Sequence, residues 1–186
     1  MRRKKKLFGK SFVIQYCNYL IMHDFITRFF SSLSLSPELT TFLLSMTPIG
    51  ELRLGIPWGI SMYGFTPLKA FIIAFLGNNL INLILFYLAS PIINWFEKQD
   101  NFIGKIVAWI RDHLKAKGEK YLEKWGTWGI FIITLIPLPG FGGWTGAGAA
   151  ALLGIKSRHA IPALIGGTFV AGVIVLASTI GFLNFA

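Results

Sequence analysis

The stretch Pro48-Ile49-Gly50-Glu51-Leu52-Arg53-Leu54-Gly55-Ile56-Pro57-Trp58-Gly59 decides how this chain folds. Two prolines, three glycines and two charges interrupt an otherwise apolar segment, which is typical neither of a continuous helix nor of a soluble loop. A backbone broken inside hydrocarbon leaves polar groups unsatisfied, so it has to face protein or a wet cavity. Helical arms of roughly 10 residues are about 15 Å long, half of a roughly 30 Å hydrocarbon core. The stretch therefore predicts a re-entrant helical hairpin.

The composition around this stretch is that of a membrane protein. Of the 186 residues, 54% are hydrophobic and 14% are charged, whereas soluble domains carry roughly 25% charged residues. Uncharged runs of 27, 31 and 28 residues follow Lys69, Lys124 and Arg158. Since a membrane-spanning helix needs about 20 apolar residues, we expect an integral membrane protein, in a bacterial-type cytoplasmic (inner) membrane.

The net charge of +10 is concentrated beside the apolar segments. Six basic residues lie in the first ten positions, and seven more lie in 98–124. Such clusters favour membrane lipids with anionic headgroups as partners rather than nucleic acid. Cys17 is the single cysteine, which excludes a disulfide framework or a thiol metal site.

The chain divides into four predicted segments. Residues 1–36 form a basic N-terminus with an amphipathic helix, which either lies in the interface or spans the membrane. Spanning would cost about 2.5–3.5 kcal/mol for Asp24 near the bilayer centre, although the distribution of basic residues favours it. Two repeats flank an amphipathic surface helix over 97–128. The predicted segments are repeat one at 37–96 (hairpin 38–64, spanning helix 67–90) and repeat two at 129–186 (hairpin 129–154, spanning helix 159–185).

The internal repeat has an offset of about 90 residues. Matching positions that lie 89 or 90 residues apart are Pro48 and Pro137, Gly59 and Gly148, Gly64 and Gly154, Ala70 and Ala160, and Gly77 and Gly167. If each hairpin returns to its own side, one crossing lies between the two, and the repeat is inverted. The predicted fold is therefore an all-α integral membrane protein with a two-fold inverted repeat and a site at the midplane.

Prolines and glycines mark the breaks and the packing positions of both hairpins. The candidates are Pro48, Gly50, Gly55, Pro57, Gly59, Pro137, Pro139, Gly140, Gly142, Gly146 and Gly148. The spacings Gly55-x3-Gly59 and Gly142-x3-Gly146 indicate close helix packing more than substrate contact.

Glu51 and Arg53 are two charged residues close to the break of the first predicted hairpin. Intramembrane charges are costly and are functional candidates by default. At positions i and i+2 they point to different sides of a helix, so each could meet a separate partner. Glu51 can carry a proton or bind a cationic substrate, and Arg53 can hold a phosphate or a carboxylate. The alternative is that the two pair, or that Arg53 caps carbonyls freed at the break.

Four further residues are candidates for lining a cavity: Trp58, Trp144, Asn78 and Asn82. The tryptophans offer aromatic surface to a lipid or a cation, or they fill the interior. The asparagines line a pore or make interhelical hydrogen bonds.

The hairpin motifs resemble a known family. Its residues here are Gly50-Glu51-Leu52-Arg53 with Ile56-Pro57, Pro137-Leu138-Pro139-Gly140, and Trp144-Thr145-Gly146. They look like the small multidrug export protein family over residues 38–185, a family distantly similar to the DedA (VTT, SNARE-associated Golgi protein) superfamily. The resemblance to DedA proteins implies flipping or scrambling of lipids such as undecaprenyl phosphate. Ala147-Gly148 matches that superfamily, whereas Gly140 stands where its second hairpin carries an arginine.

We therefore expect a transporter that moves a small amphipathic, cationic or lipid-like substrate between two facing hairpins, with proton coupling through Glu51. The alternatives are a passive lipid scramblase and a membrane organisation or assembly factor that transports nothing. The three histidines have no metal-ligand spacing and no catalytic constellation is present, so we expect no enzyme, metal or cofactor. A homo-oligomer is left open.

Overall fold

The computed structural model describes residues 35–97, 102, 104–106, 108–109, 126–136 and 142–185. This part of the chain is helical and contains no strand. Its elements are α1 (Pro37–Met46), α2 (Glu51–Ser61), α3 (Pro67–Glu97), α4 (Thr127–Leu135), α5 (Gly143–Leu152) and α6 (Ser157–Phe185). The helix predicted at the N-terminus lies outside the described residues, as does most of the surface helix predicted over 97–128.

The chain divides into two compact units, Met1–Thr40 and Thr41–Ala186. The described part of the first is the beginning of α1, where the Ser36 hydroxyl oxygen accepts a hydrogen bond from the Leu39 amide at 3.3 Å. Proline suits the first position of a helix because its missing N–H would have no partner there, and α1 begins at Pro37. The contacts within and between the hairpins belong to the second unit.

A hydroxyl group stabilises the turn between α1 and α2. Thr47 Oγ1 donates to the Leu44 carbonyl at 2.8 Å and accepts from the Gly50 amide at 2.9 Å. It thereby satisfies a carbonyl at the end of one helix and an amide at the start of the next, groups that a helix leaves without backbone partners.

The short helices pair as antiparallel hairpins. A Cβ atom at Gly55 of α2 would collide with the Ser45 side chain of α1, and one at Gly59 would lie 3.4 Å from Thr41. In the second hairpin, a Cβ atom at Gly146 of α5 would collide with the Thr134 hydroxyl of α4. Glycine at these three positions lets each pair of helices approach closely.

The other two helices are long and apolar. Pro67–Ile93 and Ser157–Leu183 are long enough to cross a membrane, with mean hydropathies of 1.9 and 2.2. The sequence predicts that the first ends by residue 90, but α3 continues through Pro91 to Glu97. A proline removes one N–H donor, and apolar surroundings offer the neighbouring backbone groups no alternative to helical hydrogen bonds.

The two hairpins and the helices that come after them repeat the same local geometry. Gly64 and Gly154 both end a hairpin with a left-handed backbone, at φ 63° and φ 65°. In each half, the long helix contacts the first short helix through a glycine: Gly77 lies against the Phe42 carbonyl and Gly167 against the Phe131 carbonyl.

Two further contacts cross between the halves. Asn82 of α3 lies against Gly143 of α5, and Gly172 of α6 lies against Leu52 of α2. Asn82 and Gly172 are 90 residues apart, and Leu52 and Gly143 are 91 apart. Each long helix therefore packs on the start of the other half's second short helix.

Apolar side chains fill the space around these crossings. One buried cluster surrounds Ile56 and Ala74 beside Ala171 of α6, and a second surrounds Ile130 and Leu164. The core therefore contains residues of both halves.

Candidate functional site

Glu51 begins α2 in an unusual backbone conformation. Its φ of 43° makes it the non-glycine residue with positive φ in the described part of the chain. This conformation costs an L-residue other than glycine roughly 1–2 kcal/mol, and such strain is typical of functional sites. The side chain is buried, with 7% of its surface exposed.

The Glu51 carboxylate pairs with its neighbour on the same helix. Arg53 Nη2 donates to Glu51 Oε2 at 2.8 Å, and the Arg53 side chain is 19% exposed. Of the two alternatives that the sequence leaves open, separate partners or a pair, this contact is the pair. Positions i and i+2 point apart only where both have helical backbone angles, and Glu51 does not.

The second hairpin presents the start of a helix to the same carboxylate. Gly142 precedes α5 with φ 143°, and a Cβ atom there would collide with the Glu51 carboxylate oxygens. The Trp144 amide donates to Glu51 Oε1 at 3.5 Å. Helix N-termini carry unpaired N–H groups and a partial positive charge, so α5 provides a favourable environment for this negative charge.

A small cavity lies beside the ion pair. Its lining residues are Glu51, Leu52, Arg53, Asn78, Thr134, Ile136, Gly142, Gly143, Thr168, Ala171 and Val175. Residues from both halves contribute, and the space is about the size of one water molecule. Thr134 and Thr168 donate their hydroxyl protons to carbonyls one turn earlier in their own helices, each at 2.7 Å.

The four predicted cavity residues are placed differently from one another. Asn78 lines this cavity, whereas Asn82 lies one turn further along α3, donates to Asn78 Oδ1 at 2.7 Å and is buried against Gly143. Trp58 is buried and 6% exposed, and it does not line the cavity. Trp144 instead donates its indole N–H to the Met46 carbonyl at 3.2 Å, which connects the second hairpin to the end of α1.

The predicted break and packing residues also differ in their surroundings. Pro48 and Gly50 lie in the turn between α1 and α2, and Pro57 lies inside α2. A Cβ atom at Gly148 would have no neighbour within 4 Å among the described residues. Three predicted positions lie outside the described residues: Pro137, Pro139 and Gly140.

Two polar cavity residues, Thr134 and Thr168, were not singled out by the sequence. The repeat offset contains the signal, because Thr168 lies 90 residues after Asn78 and Thr134 lies 89 after Ser45. No group of three or more histidine, cysteine, aspartate or glutamate side chains that could hold a metal ion occurs in the part of the chain that the structure describes.

A comparison with family models finds a family that matches most of the chain. The model described as "Putative small multi-drug export protein" matches residues 51–174, which include both α2 and α5 and nearly all of the cavity lining. No curated protein and no solved structure matches the chain.

Proposed function

The chain belongs to the small multi-drug export protein family, and from that premise we propose that it is a membrane transporter whose translocation site is the Glu51–Arg53 pair. With two helices long and apolar enough to cross a bilayer, the chain is a membrane protein. The substrate of the proposed transport is a small amphipathic or lipid-like molecule, which passes between the two hairpins.

The observation that carries this proposal is an ion pair between a buried carboxylate and a partly buried guanidinium, beside a cavity that both halves line. Replacing buried ion pairs with well-packed apolar residues is often neutral or stabilising, so a need for stability alone does not account for one. Charges within a membrane are rare and mark substrate and ion pathways. A cavity at the junction of two repeats is also where broken-helix transporters bind their substrates.

The proposed topology is an inverted repeat of two re-entrant hairpins. Helices of 9–11 residues, as in α1, α2, α4 and α5, are about 14–17 Å long and do not cross a roughly 30 Å core alone. The matched contacts of Gly77 and Gly167 support two equivalent halves. With α3 as a single crossing between them, the hairpins enter from opposite faces.

Coupling to protons is assigned to Glu51. Its carboxylate is the acidic group among the described residues that line the cavity, and a proton on it removes the charge that holds Arg53. The proposed location is an inner membrane, where anionic headgroups face the basic segments at 1–10 and 98–124.

Reconstitution into liposomes tests the proposal. Uptake of a fluorescent cationic dye and flipping of a fluorescent phospholipid are measured with and without a pH gradient for the wild type, Glu51→Gln, Glu51→Asp and the matched control Glu38→Gln, whose residue is exposed on α1. We expect Glu51→Gln to lose gradient-driven transport of at least one probe, Glu51→Asp to keep part of it, and Glu38→Gln to behave as the wild type.

Three results would contradict the proposal. Normal gradient-driven transport by Glu51→Gln would remove Glu51 from the coupling mechanism. If no probe moves faster than in empty liposomes, the role of a membrane organisation factor is favoured. Lipid flipping that is equally fast with and without the gradient would instead identify a passive scramblase.

A further inference from the structure

We propose that the Glu51 carboxylate occupies an oxyanion-binding site, and that an oxyanion of the substrate replaces it there when Glu51 takes up a proton. The inference rests on the proposed function, because it names the chemical class that the translocation site binds. That class is a planar or tetrahedral oxyanion, as found in carboxylates, sulfates and phosphates.

The donors around Glu51 are those that bind oxyanions. Arg53 provides a planar guanidinium, which suits two-oxygen groups better than a lysine ammonium does. The Trp144 amide, at the start of α5, provides a backbone N–H together with the positive end of a helix. One oxygen of Glu51 contacts each donor, so the carboxylate already fills the position that a bound oxyanion would take.

Three features make the Glu51 carboxylate replaceable rather than permanent. Its contact with the Trp144 amide, at 3.5 Å, is long compared with the usual distance of about 2.9 Å. Its backbone is held in a left-handed conformation that costs free energy. Gly142 lies directly against the carboxylate and has no side chain, whereas a larger residue there would fill the space that the substrate oxyanion needs.

The charges that face Glu51 determine how its protonation changes the site. Arg53, on the same helix, is the charged residue that faces Glu51 among the described lining residues. The other elements that line the cavity contribute uncharged polar groups, those of Asn78, Thr134 and Thr168. Among the described lining residues, protonation of Glu51 therefore changes the site from neutral to a net charge of +1. An anion bound to Arg53 restores neutrality, so proton uptake and anion binding favour one another.

Binding of sulfates to the purified full-length chain in an uncharged detergent tests this inference. Inorganic sulfate and alkyl sulfates both stay ionised between about pH 5 and about pH 8, so a change of pH alters the charge of the protein and not that of the probe. Isothermal titration with inorganic sulfate and with hexyl sulfate is carried out at about pH 8 and about pH 5 for the wild type, Glu51→Gln, Arg53→Gln and Glu38→Gln.

We expect Glu51→Gln to bind at least about tenfold more tightly than the wild type at the higher pH, because the internal competitor has lost its charge. The wild type should bind more tightly at the lower pH, whereas Glu51→Gln should depend little on pH. Arg53→Gln should abolish binding, and Glu38→Gln should match the wild type. Binding of both probes means that a free oxyanion suffices, and binding of hexyl sulfate alone means that the group must be carried by an amphiphile.

Three outcomes overturn the inference: neither probe binds, Glu51→Gln binds no more tightly than the wild type, or Glu51→Gln keeps the pH dependence of the wild type. Sulfate binding by the wild type at the two pH values is measured without any variant, so the inference remains testable even if a mutant folds poorly. Sulfate binding is measured separately from transport, so the two hypotheses can fail separately. If the protein moves a cationic dye along the pH gradient but does not bind sulfate, the oxyanion-binding site is rejected and the proposed transport function stands.

Discussion

Gly142 lies against the carboxylate of Glu51, although the two residues belong to different hairpins and are 91 residues apart in the chain. Both have positive φ, 43° for Glu51 and 143° for Gly142. The first hairpin therefore provides a charge where the second provides space. This difference within an otherwise repeated geometry creates one charged site at the junction of the two halves.

Arg53 is expected to select the charge of the substrate. Arg53→Ala removes the guanidinium that holds the Glu51 carboxylate, so it should reduce transport of an anionic amphiphile by at least about tenfold and that of a cationic one much less. Parallel flux measurements in liposomes check this, with Arg158→Ala at the exposed start of α6 as the control. Equal losses for both substrates would give Arg53 a structural role.

The glycine contacts shared by the two halves should be sensitive to one added methyl group. Gly167→Ala places a Cβ atom 2.8 Å from the Phe131 carbonyl oxygen, and Gly77→Ala causes a similar collision with Phe42. Each should destabilise the protein by about 1–3 kcal/mol, seen as a lower midpoint of thermal unfolding in detergent. The control is Gly181→Ala, since a Cβ atom there has no described neighbour within 4 Å. An unchanged midpoint for Gly167→Ala would contradict the close approach.

The inverted repeat predicts that two matching positions are labelled from opposite sides. Thr66 and Lys156 are 90 residues apart, and both are exposed just before a long helix. In a Cys17→Ser background, a membrane-impermeant maleimide should reach Thr66→Cys from one side of oriented vesicles and Lys156→Cys from the other. Labelling of both from the same side would exclude an inverted arrangement.

The indole of Trp144 is expected to stabilise the contact between the hairpins. Trp144→Phe keeps an aromatic ring but removes the donor to the Met46 carbonyl, which should cost about 0.5–1.5 kcal/mol of unfolding free energy. Trp128→Phe, at a side chain that is 58% exposed, should change stability by less than about 0.5 kcal/mol. Chemical denaturation in detergent compares the two, and equal effects would show that the Met46 contact contributes nothing.

Periodicity and composition predict most of the helical elements. The uncharged run after Lys69 becomes α3, and that after Arg158 lies within α6. Proline and glycine mark the break between α1 and α2 because neither residue favours a helix interior. Gly64 and Gly154 lie 90 residues apart, and this spacing predicts two similar turns. The amino-acid sequence does not by itself predict the left-handed backbone that both glycines adopt.

The geometry of the site is harder to predict from the sequence. A helical wheel assumes helical angles at Glu51, so the sequence leaves open whether Glu51 and Arg53 pair, and the positive φ of Glu51 accompanies the pairing in the structure. The approach of Gly142 depends on tertiary packing of segments about 90 residues apart, which no local pattern encodes. Thr134 and Thr168 resemble ordinary helix residues until the repeat offset and the cavity bring them together.

Gly142 faces Glu51 from a hairpin without charged residues, and this has an energetic consequence for the proposed transport cycle. With no charged residue between Lys124 and Lys156, the second hairpin adds no carboxylate, so each turnover carries at most one proton on Glu51. A proton that moves together with a monovalent anion transfers no net charge. This cotransport would then be electroneutral, driven by a pH difference and indifferent to membrane voltage, which otherwise contributes about 2.3 kcal/mol per charge for each 100 mV.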